Sequence, residues 1–123
     1  MRKRFALVLA ALTLVAMLGA AQPASSATVI KAVSCPSCAR SYTWMPKQVS
    51  VAKGAKVTWK AITGTHTVTA TSNNWSKNTR IFGGGASTSF TFNKAGTYRF
   101  RCKLHSTLSS GKCSGMCGKV VVG

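Results

Sequence analysis

Residues 99–118 read RFRCKLHSTLSSGKCSGMCG and hold three of the chain's five cysteines, one of its two histidines and one of its four methionines. Thiolate, imidazole and thioether are ligands for soft and borderline metals. The stretch therefore admits three chemistries: a loop closed by disulfides, a zinc site, or a site for another transition metal. What is missing narrows the field. Seventeen Lys and Arg stand against no Asp or Glu in 123 residues, a formal charge of +17. Without a carboxylate there is no paired-carboxylate glycosidase, no Ser-His-Asp triad and no carboxylate-held Mg²⁺ or Ca²⁺. The composition speaks for a protein that is not an enzyme.

The chain opens MRKRFALVLAALTLVAMLGAAQPASSA, with a basic start, an apolar run and small residues before Ala27. This pattern predicts a cleaved signal peptide over residues 1–27 and one mature domain over residues 28–123, exported to the periplasm or cell exterior. Loss of Arg2, Lys3 and Arg4 would leave +14 on that domain. Such a field favours acidic protein partners and association with an anionic cell envelope. The basic residues are scattered, so no dedicated nucleic-acid groove is expected, and nothing in the pattern calls for more than a monomer. No later apolar stretch is long enough to cross a bilayer.

The elements that must position the soft ligands are strands. In TYRFRCK, Tyr98, Phe100 and Cys102 alternate with basic residues, so Cys102 faces inward with the aromatics. Similar alternation marks TVIKAV, YTWMPKQVSV, KVTWK, THTVTAT, STSFTF and GKVVV, with turn signals at Lys53-Gly54, Gly64, Gly83-Gly84-Gly85 and Asn93 to Gly96. The expected fold is all-β, a sandwich of about seven or eight strands. Ser72 to Ser87 carries no clear strand signal, and Met45 is assigned to the core. His66 shares a face with Val68 and Ala70, and a buried imidazole needs a carbonyl, a hydroxyl or a metal. With Cys102 and with His105 three residues further on, it completes a group of two imidazoles and one thiolate. Together with a weak axial thioether from Met116, that group is a blue-copper ligand set.

The order P-x2-V-x-V-x2-G-x2-V-x-W over Pro46–Trp59, then His66, then F-T-F-x3-G-T-Y-x-F-x-C-x2-H over Phe90–His105, then G-M-x-G-x-V-x-V over Gly115–Val122 resembles the plastocyanin-like cupredoxins. The resemblance implies a Greek-key β-sandwich holding one type I copper ion that cycles between Cu(I) and Cu(II). His66, Cys102, His105 and Met116 would be its ligands, and electron transfer between redox partner proteins its role. Copper sequestration or delivery through the same site is the alternative. The chain departs from the pattern in the ten residues, STLSSGKCSG, that separate His105 from Met116. Of the apolar surface that the family has around the second histidine, only Leu104 and Leu108 are apparent.

Setting Cys102 aside leaves Cys35, Cys38, Cys113 and Cys117, an even number that fits two disulfides in an exported protein. Three pairings are open, the local one and two cross-pairings. A four-cysteine zinc site is a rival reading of the same residues. Cys35-Pro36-Ser37-Cys38 also has the spacing of a thiol-exchange motif, but the adjoining ARSYTWMPKQVSV reads as a strand rather than the helix that would activate its first thiol.

Overall fold

The computed structural model describes Gly19 and residues 27–123; the expected signal peptide otherwise lies outside the described residues. The described chain forms nine strands: β1 (Thr28–Ser34), β2 (Tyr42–Met45), β3 (Gln48–Val51), β4 (Ala55–Ala61), β5 (His66–Ala70), β6 (Asn78–Ile81), β7 (Ser87–Phe92), β8 (Gly96–Ser109) and β9 (Lys112–Val122). They build a β-sandwich from a four-stranded sheet, β2-β1-β4-β7, and a five-stranded sheet, β3-β9-β8-β5-β6. Each sheet is mixed, because β1 runs parallel to β4 and β3 parallel to β9.

Period-two burial explains the layers. In β4, Val57, Trp59 and Ala61 are buried while Lys56 and Lys60 are exposed, and in β8 Tyr98, Phe100 and Cys102 point inward as their alternation requires. Aromatic rings bridge the sheets: Trp59 meets Phe100 edge-on at 5.3 Å between centroids, and Trp44 meets Phe100 at 5.7 Å. The result is a stiff, closely packed interior beneath the outward cations.

Four expectations are corrected. YTWMPKQVSV is two strands rather than one: β2 pairs with β1 in one sheet, and β3 pairs with β9 in the other. Pro46, which has no N–H for a ladder, stands where the chain changes sheets. Met45 is 59% exposed rather than in the core, because Trp44 takes the inward position and Met45 falls on the opposite face. The segment after Ser72 contains β6, an edge strand that pairs with β5 and buries only Ile81. Finally, the ten residues between His105 and Met116, which fall outside the expected strands TYRFRCK and GKVVV, form a hairpin. β8 continues to Ser109, and the chain reverses through Ser110 and Gly111, with φ of 49° and 74°. Positive φ at both central residues is the two-residue turn that suits the twist of paired strands.

Candidate metal centre

The pairing of β8 with β9 creates the centre. Arg101 lies opposite Cys117 and Ser106 opposite Gly115, so the four residues Cys102–His105 face the single residue Met116. β8 must arch to fit the surplus, and the arch brings Cys102 and His105 to one side. Side chains fasten it. Ser106 Oγ donates to the Cys102 carbonyl at 2.5 Å, and the Lys103 N–H donates to Thr67 Oγ1 at 2.8 Å. Gly115, at φ +96°, is required where β9 passes beneath: a Cβ there would lie 2.6 Å from the His105 carbonyl oxygen.

His66 enters from β5, fully buried. Its Nε2–H donates to the Thr63 carbonyl at 2.7 Å, and since a carbonyl only accepts, the neutral ring keeps the Nδ1 lone pair for the centre. His66 Nδ1 stands 3.8 Å and His105 Nδ1 3.4 Å from Cys102 Sγ. The ligand atoms of the three residues all lie within 4.8 Å of one another. Tyr42 packs against both imidazoles, with ring centroids at 4.9 Å from His66 and 4.5 Å from His105. Met116, also fully buried, belongs to the same cluster as Cys102.

The electrostatics suit a cation that takes a thiolate. Burial pushes the Cys102 thiol up, but its side-chain contact with His66 and the backbone N–H groups at Thr67, Leu104 and His105 outweigh it and hold the thiol below its ordinary value. The Thr67 N–H donates directly to Sγ at 3.4 Å. Burial lowers His105, with repulsion from Arg40, and from the His66 ring whenever that ring is protonated, adding to it, so the His105 ring is ready as a neutral ligand. Two imidazole nitrogens, one low-pKa thiol and a buried thioether, with no carboxylate in the chain, match the soft-to-borderline preference of copper.

The remaining cysteines pair locally, Cys35 with Cys38 and Cys113 with Cys117, leaving Cys102 as the free thiol among the described residues. Neither cross-pairing nor a four-cysteine zinc site is therefore formed. The second disulfide brackets Met116. Four residues of extended strand would advance about 13 Å, yet the Cα atoms of Cys113 and Cys117 are 6.2 Å apart. β9 is doubled up at this point.

Several contributors escaped the sequence reading. The Thr63 carbonyl is a backbone group and has no sequence signal, and Tyr42 reaches the imidazoles only because β2 begins beside them. Apolar surface at the metal end is broader than Leu104 and Leu108. Phe82 is 59% and Ile62 39% exposed on neighbouring loops, joined by the Gly84 N–H bonded to the Ile62 carbonyl.

The model of a family of copper binding proteins, the plastocyanin/azurin family, matches residues 32–123. Among solved structures, a reduced Cu(I) form of an amicyanin variant is 26% identical, with a TM-score of 0.59 over 81% of this chain and 85% of that one. The oxidised state of another amicyanin variant is 25% identical, with a TM-score of 0.59 over 79% and 82% of the two chains. A purple cupredoxin from Nitrosopumilus maritimus shares the fold at 17% identity, with a TM-score of 0.59 over 78% of this chain and 99% of its own. No curated protein matches the chain by sequence.

Proposed function

We propose that this chain, which belongs to the plastocyanin/azurin family of copper-binding proteins, is an exported electron carrier whose copper is held by His66, Cys102, His105 and Met116. Bound copper would supply one chemistry, the exchange of a single electron between Cu(I) and Cu(II). The chain's own residues do the rest. The sandwich fixes His66 and Cys102 in two hydrogen-bonded strands, so that the donor set keeps one geometry through the redox cycle. Burial of Cys102 and Met116 keeps water from the sulfurs, while His105 remains partly exposed. Leu104, Phe82 and Ile62 form an apolar rim on which a redox partner can approach. No substrate is transformed.

The observation that carries this reading is the convergence of the three ligand atoms within 4.8 Å, with His66 and Cys102 buried and His105 partly so. Two disulfides and the leader-like N-terminal sequence support export. Copper sequestration or delivery would need the segment before Met116 to open, and a paired hairpin whose second strand is bridged by Cys113–Cys117 around Met116 resists that. The test is to add Cu(II) to the purified oxidised protein and record its visible and electron spin resonance spectra, then cycle it with a reductant and an oxidant. An intense thiolate-to-copper band that bleaches and returns with copper retained is expected. Loss of copper to an apo-acceptor on each reduction would favour delivery instead.

A further inference from the structure

The outer face of the five-stranded sheet carries a groove of about 600 Å³ that the metal centre does not use. It is lined by Lys112 at the tip of the β8–β9 hairpin and by Lys47, Arg99 and Lys119 of the sheet. Phe100 and Gly118, paired on adjacent strands, lie at the floor, and the Phe100 ring turns inward into the space where a Gly118 Cβ would stand.

The charges in this groove are at odds with the fold that holds them. Arg99 and Lys119 are directly opposite on adjacent strands, a like-charged cross-strand pair that destabilises a sheet. Lys47 precedes the residue paired to Lys119 on its other side. Among the described residues none of the four cationic side chains donates a hydrogen bond within the protein, and the chain has no Asp or Glu to offset them. A ligand that brings several carboxylates into the concavity would relieve the repulsion and supply charge-assisted hydrogen bonds.

We propose that this groove docks an extended acidic segment of a protein partner, its Asp or Glu side chains pairing with Lys47, Arg99, Lys112 and Lys119. Shape decides between anions. A planar membrane surface does not enter a concavity lined by a hairpin tip. A nucleic acid strand would want aromatic faces for its bases, whereas the groove's one aromatic, Phe100, is 1% exposed and packed into the core. An extended peptide presents alternate side chains to one side and suits the geometry. The location serves electron exchange: Phe100 lies two residues before Cys102 on β8, and Gly118 two residues after Met116 on β9. Only the identification of the partner as a redox protein rests on the carrier reading.

The test titrates copper-loaded full chain with a capped hexaglutamate peptide at low salt, following backbone amide shifts. Two double variants with equal charge loss are compared: Lys112→Ala with Lys119→Ala in the groove, and Lys53→Ala with Lys94→Ala in turns at the opposite end of the sandwich. The expected result is shifts centred on Arg99, Lys112 and Lys119, with affinity falling about tenfold in the groove variant and about twofold or less in the control. Lys112→Glu, at an exposed hairpin tip where folding is not at stake, should abolish peptide binding. Equal losses in the two doubles would mean that only the diffuse field acts, and would overturn the proposal. So would tighter groove-dependent binding of an oligothymidylate, or of vesicles rich in phosphatidylglycerol. The visible band recorded on the same samples keeps the two readings apart: peptide seated in the groove without a blue band would overturn the carrier and leave the docking site.

Discussion

The two sides of the metal centre are built by different means. His66, Cys102 and His105 sit on β5 and on the β8 arch, held by ladder bonds and by Thr67 and Ser106. Met116 sits within Cys113–Cys117, the stretch of β9 that pairs with β8 at Leu108 and again at Arg101, and a disulfide holds that stretch doubled. One side is a local solution in which a Cys-x2-His spacing and a bulge suffice. The other is a long excursion returned to register by a covalent clamp. A lengthened ligand hairpin is thus not necessarily a loose one.

The largest effect should come from the first side. Cys102→Ser keeps the size of a buried residue, so the protein should stay folded while the intense visible band disappears; a retained band of equal strength would remove Cys102 from the ligand set. Thiol counting probes the same division. Denatured, unreduced apo-protein should show one free thiol, that of Cys102. Five free thiols with stoichiometric zinc would leave no clamped side to set against the first.

Next come the clamps themselves. The chain-entropy rule assigns disulfides closing such short loops about 2 kcal/mol each, so Cys35→Ser with Cys38→Ser and Cys113→Ser with Cys117→Ser should lower the unfolding free energy of the apo-protein comparably. Only the second pair should change the copper spectrum and the reduction potential, because only that pair encloses Met116. A spectrum unchanged by opening Cys113–Cys117 would show that the hairpin positions Met116 unaided. Met116→Leu should be milder than either ligand loss. An axial thioether is long and weak, so colour should persist while the potential shifts. An unchanged potential would reduce Met116 to packing.

The same contrast governs what could be read from sequence. The first side was legible because apolar or ligand residues alternate with polar or basic ones in His66-Thr67-Val68 and in Tyr98 to Cys102; burial follows that period in β8, while in β5 Thr67 is buried as well. The hairpin was not. Thr107, Leu108, Ser109, Lys112 and Ser114 are all exposed, so no face is selected for burial and no alternation is written; the Ser110-Gly111 turn was the one local signal. β6 failed for a related reason, since an edge strand burying one residue in four has almost no period. The split of residues 42–51 was marked by Pro46 alone, and missing it also misplaced Met45. Periodicity did not reach Met116: it entered on the chemistry of its thioether and its place before the last strand, and the G-M-x-G match to the family pattern then agreed with that assignment.

The smallest effect concerns the field that both sides share. Reduction removes one positive charge from the centre, so a protein carrying +17 and no acidic side chain disfavours the oxidised state and raises the reduction potential. Most of the cations are exposed, for instance Lys47, Lys56, Lys60, Lys103 and Lys112, and their influence is screened beyond a Debye length of about 10 Å at 0.1 M salt. Raising the ionic strength should therefore lower the potential slightly, and slow association with an acidic partner while leaving a neutral one unaffected. Voltammetry at fixed pH in a weakly binding salt measures the first effect. Lys103 gives a finer measure, because it lies within the β8 arch whereas Lys112 lies at the tip of the clamped hairpin. Lys103→Gln should lower the potential more than Lys112→Gln at low salt, and the gap should close as salt is added. A potential that rises with ionic strength would mean that the surface charge does not act on the centre in this sense.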